Sequence, residues 1–351
     1  MIPGPSEFLT AGSNAAAPQR SERPRSAPGA TRCGFSYHDQ EGKAITDEAT
    51  LTRIKDLVIP PAWKSVWISP YENGHIQAVG TDAAGRRQYL YHEKWQQDRA
   101  EEKFDRVLEM SKSLPEMRRQ INADLKKRGL ERDRVLALAL QLLDLGYFRA
   151  GGEQYAEENN SFGIATLLCE HVALRRQAVE FDFPAKSGVR RTLLIEDAEV
   201  VRSVRALMRR PERGGRLLVC RNSSEWKDIH ADDLNARFKE LVGDEYTVKD
   251  LRTWHGTVLA AAAFVDADPP VNKTVIKRVE SAVMKEVAEE LGNTPAVARG
   301  SYVDPRVVEG YEKEMTIASG VRSANRAKTA GLRQSILEDS TARLIRKVAR
   351  G

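Results

Sequence analysis

Trp63-Lys-Ser-Val-Trp-Ile-Ser-Pro-Tyr-Glu-Asn-Gly-His-Ile-Gln-Ala-Val-Gly-Thr-Asp-Ala-Ala-Gly-Arg-Arg-Gln-Tyr-Leu-Tyr91 is the stretch that sets one part of this chain apart from the rest. Trp63–Ile68 alternates in polarity, and Ser69–Gly74 is a cluster of turn residues. His75–Gly80 reads as a second strand, Asp82–Gly85 as a second turn and Gln88–Tyr91 as a third strand. A small antiparallel sheet with one or two helices is the expected outcome. Working outward, residues 1–32 are rich in Pro, Ser, Ala, Gly and Arg without a hydrophobic period, which predicts a disordered basic tail. A β-rich first domain is therefore expected over residues 33–98.

Beyond that point the pattern is mainly helical. Asp133–Phe148 is apolar almost all round, as in a buried helix. Val179–Phe183 and Val189–Ile195 are strand-like runs joined by Pro184–Gly188, a hairpin. Thr247-Val-Lys-Asp250 is a capping box ahead of the stripe Leu251, Trp254, Val258 and Ala262. Lys273–Leu291 is amphipathic and closed by Gly292. Thr294-Pro295 and Asp304-Pro305 each carry the signature of a helix start. The fold class is α+β: a small antiparallel sheet domain, then a larger, mainly helical domain over 99–320 that contains a β-hairpin. A basic helical segment follows over 321–351, with eight Lys/Arg against two acids.

Composition narrows the function. The 351 residues carry 55 Lys/Arg and 50 Asp/Glu, a net charge of +5 whose meaning depends on where it sits. No run approaches the roughly 18 apolar residues of a membrane-spanning helix. The start of the chain lacks the apolar core of a secretory signal, and Cys33, Cys169 and Cys220 suit neither a disulfide framework nor a zinc site. The expectation is a cytoplasmic protein. A phosphate-binding G-x-x-x-x-G-K-[ST] loop, an H-E-x-x-H pair and a serine nucleophile elbow are all missing. Asp266-Ala-Asp268 reads as an acidic loop rather than a magnesium site, so neither a metal nor a cofactor is implied.

Four segments hold candidate chemistry, each with an ordinary structural reading beside it. Tyr302 follows Gly292-Asn-Thr-Pro and lies off any core stripe, as a surface or packing tyrosine would. Arg252 sits one position off the Leu251/Trp254 stripe, where an arginine is usually solvated or salt-bridged. Arg149 precedes Gly151 and Gly152, which permit a close approach of backbone or phosphate but also simply form turns. Lys186 stands at a hairpin tip, where lysines are normally solvated.

In this order and combination the segments resemble the type IB DNA topoisomerases, in their bacterial and poxvirus-like branch. The resemblance runs from about Val58 to about Tyr311. It is carried by Ile59-Pro-Pro-Ala-Trp63, Gly80–His92, Arg149 with Tyr155–Asn160, Lys186, Asp250-Leu-Arg252-Thr and Gly292-Asn-Thr-Pro…Tyr302. It implies that Tyr302 attacks a DNA phosphodiester, forms a 3′-phosphotyrosyl bond and expels a 5′-hydroxyl. Arg149 and Arg252 match the arginines that hold the scissile phosphate, and Lys186 matches the general acid. Asn293 stands where the viral enzymes have histidine. Arg86, Arg87, Gln88, Tyr89, Tyr91 and Tyr155 are the expected DNA contacts. The bland reading of Tyr89 and Tyr91 is one face of a strand.

The resemblance further implies relaxation of supercoiled duplex DNA by strand cleavage and religation, without ATP or metal, by a monomer in the bacterial nucleoid. Two basic lobes would close around the duplex with a hinge near Asp98–Glu102. The seven arginines of Val201–Arg221 would add backbone contacts, unless they are a solvated helix face. Two alternatives stay open: a tyrosine recombinase, which usually has His-x-x-Arg where this chain has Lys249-x-x-Arg252, and a non-catalytic DNA-binding protein on the same fold.

Overall fold

The structure is a computed structural model describing residues 19–22, 35–39, 41–146, 148–210, 215–223 and 225–350. It forms two compact units that divide between Lys103 and Phe104. The first contains strands β1 (Gln19–Glu22), β2 (Phe35–His38), β3 (Lys64–Ile68), β4 (Ile76–Thr81) and β5 (Arg87–Tyr91), with helix α1 (Glu48–Asp56) between β2 and β3. They make one antiparallel sheet in the order β2-β1-β3-β4-β5. The three strands read from the alternation are β3, β4 and β5.

Strand β1 falls inside the stretch expected to be a disordered tail, and Gln19–Glu22 are a correction to that reading. Gln-Arg-Ser-Glu has no apolar alternation. Its place between β2 and β3 comes from main-chain pairing, of which side-chain pattern gives no sign. Residues 1–18 and 23–32 of the tail lie outside the described residues. Ile54, Val66, Ile68 and Ala78 form the small core of this unit. Trp63 lies against Gly80, where a Cβ would come within 2.6 Å of its ring. Two of the sequence marks, Ile59–Trp63 and Gly80–His92, thus meet as packing partners.

Helix α2 (Glu93–Met110) runs unbroken through 98–102, where the sequence places a hinge. The second unit continues with α3 (Leu114–Leu125), α4 (Arg132–Gly146), α5 (Glu153–Asn159), β6 (Val172–Leu174), β7 (Val179–Pro184), β8 (Arg190–Ile195) and α6 (Ala198–Met208). Then come β9 (Val219–Asn222), β10 (Glu225–Asp228), α7 (Ala231–Val242), α8 (Val248–Ala263), α9 (Lys273–Leu291), α10 (Pro295–Ser301), α11 (Pro305–Glu312), α12 (Ala318–Ala324) and α13 (Ala330–Val348). Strands β6, β7 and β8 form a small antiparallel sheet, and β9 and β10 a two-stranded ribbon. The architecture is α+β, as expected.

Helix starts and stops follow the local chemistry. Asp250 accepts from the Thr247 backbone N–H and hydroxyl, both at 2.9 Å, at the start of α8. Gly292 closes α9 in the left-handed conformation, with φ 60°. Thr294 and Asp304 cap α10 and α11 by accepting from the N–H groups of Val297 and Arg306. Helix α4 is buried on most sides, as its composition predicts. One face of α13, with Ala342, Leu344, Ile345 and Val348, also lies in the main core. The C-terminal segment is helical and packs as part of the second unit.

A polar network ties these helices together. Arg118 of α3 donates to both carboxylate oxygens of Asp144 (2.7 and 3.0 Å) and of Glu338 on α13 (2.7 and 2.8 Å). His255 of α8 joins Asp144 at 3.0 Å. Burial alone would push the Asp144 carboxyl up, but the His255 hydrogen bond and the Arg118 charge outweigh it and hold it well below the usual carboxylate range. The network anchors α8 from the side of the helix that carries His255.

Candidate active site

The last four carbonyls of an α-helix have no partner within the helix, and that end carries partial negative charge. At the end of α9 those carbonyls gather three guanidiniums. Arg252 donates to the Leu291 carbonyl. Arg149 donates to the Gly292 carbonyl at 2.7 Å and to the Asn293 side-chain oxygen at 2.6 Å. Arg191 donates to the carbonyls of Glu289 and Glu290 at 2.8 and 2.7 Å. Three of the expected catalytic residues, Arg149, Arg252 and Asn293, therefore meet at one helix terminus, with Tyr302 beside them.

Arg149 follows α4 on a segment fixed by main-chain bonds, in which the N–H groups of Ile164 and Ala165 donate to the carbonyls of Arg149 and Ala150, both at 2.8 Å. Gly151 (φ 86°) faces Gly163 so closely that a Cβ on it would lie 2.8 Å from the Gly163 backbone. Of the sequence alternatives, the approach served at Gly151 is backbone against backbone. Arg252 departs from its ordinary reading as a solvated residue, since only 6% of it is exposed. Burial is the main cause that pushes its pKa down to about 10; Arg149 adds to the effect and Tyr302 opposes it. Burial lowers Arg149 as well, again opposed by Tyr302 and reinforced by Arg191.

Tyr302 is not a surface residue; 9% of it is exposed. Its ring centre lies 5.4 Å from the Arg252 guanidinium carbon. The backbone is held on both sides: its N–H donates to the Ala298 carbonyl at 2.9 Å, and its carbonyl, at 3.2 Å, shares the Thr257 hydroxyl with the Thr253 carbonyl at 3.0 Å. The same Thr257 oxygen accepts from the Asp304 N–H at 3.1 Å. Beneath it, Gly256 of α8 makes room: a Cβ there would lie 2.8 Å from the Tyr302 carbonyl oxygen and 3.0 Å from its Cβ. Asn293 turns its oxygen to Arg149, and its buried amide nitrogen has no hydrogen-bond partner among the described residues. That leaves its two N–H donors unpaired beside Arg149.

Lys186 stands at the exposed tip of the β7–β8 hairpin rather than in the buried cluster. The sequence reading missed Arg191, Gly256 and Thr257. A glycine in the middle of a helical pattern is a signal for Gly256. Nothing in the sequence singles out Arg191. Among the described residues, no three His, Cys, Asp or Glu side chains converge to hold a metal ion. Asp268 is instead paired with Arg278 at 2.6 Å.

In the first unit, Arg87, Tyr89 and Tyr91 alternate along β5. Tyr89 stacks on Tyr91 at 6.1 Å, Tyr91 stacks on Trp95 at 4.5 Å, and Arg87 lies over Tyr89 at 5.8 Å. Trp67, Val79 and Tyr89 sit in register across β3, β4 and β5, and with Arg87 they line a concavity of about 580 Å³. Arg86 and Gln88, on the same stretch, also hold the turn. Both donate to Asp82, at 3.0 and 2.8 Å, and shape the β4–β5 turn. Bonds led by the Arg86 backbone N–H hold the Asp82 carboxyl at about 2.

The Tyr155 side chain lies outside the described residues; its backbone is in α5. The arginine run is mixed. Arg210 is buried and donates to the carbonyls of Leu207 and Arg216 at 3.0 and 2.6 Å, which is a structural role. Arg202, Arg205 and Arg209 line a basic groove of about 960 Å³ with Lys126, Arg128 and Arg176.

The chain as a whole is similar to known proteins. The profile for the eukaryotic DNA topoisomerase I catalytic core matches residues 92–328, and that for the bacterial DNA topoisomerase IB N-terminal domain matches residues 34–82. The DNA topoisomerase 1B of Acanthamoeba polyphaga mimivirus is 32% identical over 286 residues, covering 79% of this chain and 84% of that protein. The DNA topoisomerase 1B of Vaccinia virus (strain Copenhagen) is 23% identical over 294 residues, covering 77% and 88%. The chain belongs to the type IB DNA topoisomerases. It is an isomerase that relaxes supercoiled DNA by transient single-strand cleavage and religation.

Proposed function

We propose that the cluster at the end of α9 is the cleavage site and that Tyr302 is its nucleophile. The observation that supports this most directly is the convergence of Arg149, Arg252 and Asn293 on one helix terminus beside a tyrosine whose backbone is fixed on both sides. A phosphodiester carries one negative charge and gains a second in the five-coordinate transition state. Two fixed guanidiniums and one amide N–H, aimed at its non-bridging oxygens, stabilise that added charge. The Tyr302 phenol gives up its proton to water and bonds to phosphorus, and the bond from phosphorus to the 5′-oxygen breaks.

An alkoxide leaves poorly, so Lys186 supplies a proton to the 5′-oxygen as the bond breaks. The phosphotyrosyl diester keeps the bond energy, and religation is the reverse reaction. This sequence of steps needs neither nucleotide hydrolysis nor a metal. The finer readings belong with it: a monomer working on the nucleoid, with Arg87, Tyr89 and Tyr91 touching the duplex. The test is relaxation of supercoiled plasmid by purified protein in EDTA without nucleotide, with covalent adduct trapped on a denaturing gel. Relaxation of both supercoil signs and an adduct on the 3′ side of the nick are expected. Strict dependence on Mg²⁺ or ATP, or an adduct on the 5′ side, would overturn the proposal.

A further inference from the structure

We propose that Arg191 is a positioning residue for the reaction: it ties the hairpin that carries Lys186 to the carbonyl end of α9, and so holds the proton donor in register with the phosphate-binding arginines. The inference rests on the reading of Lys186 as general acid. Lys186 stands on an exposed turn between β7 and β8, so its place relative to the buried arginines is set by how those strands are held. The turn itself is tight. Ala185 donates to Val189 at 2.8 Å and Gly188 to Ala185 at 3.0 Å. What happens to β8 is therefore passed to Lys186 through a few bonded residues.

Strand β8 alternates between the two faces of its sheet, and Arg191 shares a face with Leu193 and Ile195. An arginine on that face needs acceptors. It finds two adjacent carbonyls, Glu289 and Glu290, in the last turn of α9; the first also accepts from the Gly292 N–H at 3.1 Å. Its side chain also packs on Gly292, where a Cβ would lie 3.3 Å from Arg191 Cδ and 3.4 Å from Nη1. The next residue is Asn293, which holds Arg149. A short series of contacts thus runs from the Lys186 turn through Arg191 and the α9 terminus to Asn293 and Arg149. The planar guanidinium fork suits two neighbouring carbonyls, which a single amide cannot bridge in the same way.

The experiment measures single-turnover cleavage of duplexes that carry, at a mapped cleavage site, either the natural 5′-oxygen or a bridging 5′-phosphorothiolate. A thiolate leaves without a proton, so it bypasses the general acid. Arg191→Ala is expected to cleave the natural linkage roughly 10- to 100-fold more slowly, part of what a general acid contributes. Duplex affinity should stay within a few-fold of wild type. On the phosphorothiolate duplex the defect should shrink to a few-fold, as for Lys186→Ala. Arg191→Gln, which keeps one donor, should fall in between and guards against a folding defect in the alanine variant. If Lys186→Ala is repaired by the thiolate and Arg191→Ala is not, or if Arg191→Ala cleaves normally, the positioning role is wrong and the general acid stands. If Lys186→Ala is itself not repaired, the general-acid reading fails and this inference fails with it.

Discussion

Arginine is used in opposite ways in the two units. On the sheet of the first unit, Arg87 is exposed and rests over Tyr89 at 5.8 Å, at the end of a stacked row of rings that stays in contact with water. At the end of α9 in the second unit, Arg252 is 6% exposed and its pKa is pushed down to about 10 by burial and by Arg149. Charges in water are screened and their contributions are small, whereas buried charges act on each other strongly. Single changes on the sheet should therefore give graded losses of binding. Single changes in the cluster should remove chemistry while leaving binding almost intact.

Tyr302→Phe probes the cluster most severely. It removes one oxygen and keeps the ring over Arg252. Covalent adduct and relaxation are expected to vanish, while duplex affinity stays within a few-fold of wild type and still falls with salt, because counterion release sets that slope. Adduct remaining in the variant, mapped to Tyr311 or elsewhere, would show that the nucleophile is misassigned. A loss of binding equal to the loss of cleavage would show that Tyr302 is structural.

Gly256→Ala tests the same cluster without touching a reacting group. The new methyl would lie 2.8 Å from the Tyr302 carbonyl oxygen, so backbone must move. A misplacement of about 1 Å in a reacting group costs roughly 100-fold in rate. Cleavage should fall by about that factor, while the unfolding free energy drops by only about 1–3 kcal/mol. Wild-type cleavage by this variant would mean that the Tyr302 position is less tightly set than its hydrogen bonds imply.

The contrast also accounts for what the sequence revealed. Strands β3, β4 and β5 were legible because a half-buried sheet writes its two faces into alternate residues. Helices α8, α9, α10 and α11 were legible because Thr247, Gly292, Thr294 and Asp304 are local signals that act within a few residues. The cluster is non-local. Arg252 reads as a solvated helix residue because periodicity reports only its own helix, not the α9 terminus packed over it. Tyr302 reads as a loop residue for the same reason. Only the combination of motifs pointed to them. Arg191 and Thr257 left no sign, since their partners are 98 and 45 residues away along the chain.

The buried network behind α8 is a third way to test the contrast. Asp144→Asn leaves Arg118 with a single carboxylate partner and weakens the bond to His255. Breaking a buried ion pair from one side typically costs about 3–5 kcal/mol. The folded-state pKa of Asp144 lies below its unfolded value of about 3.9, so its contribution is complete above that pH and is lost as pH falls towards the folded value. In urea unfolding of the full chain, the gap between wild type and Asp144→Asn should be full at pH 7 and narrower at pH 3.5. A gap that stays constant or widens in acid would show that the carboxylate is not held in its charged form by Arg118 and His255.

The smallest effects are expected on the sheet face, where Arg87→Ala and Tyr89→Ala separate charge from ring. Arg87 is the cation of the Trp67–Val79–Tyr89 concavity. If it neutralises one phosphate, its loss should weaken duplex binding a few-fold and reduce the slope of log affinity against log salt by about 0.9. Tyr89 is 42% exposed and carries no charge. Its loss should weaken binding by a similar few-fold and leave the salt slope unchanged. Because neither side chain belongs to the α9 cluster, cleavage at saturating enzyme should keep the wild-type rate in both variants. Equilibrium binding at several salt concentrations, paired with single-turnover cleavage, measures all of these quantities on the same duplex. A saturated cleavage rate that drops in either variant as it does for Gly256→Ala would erase the distinction between the two regions, and would place the sheet face inside the catalytic step.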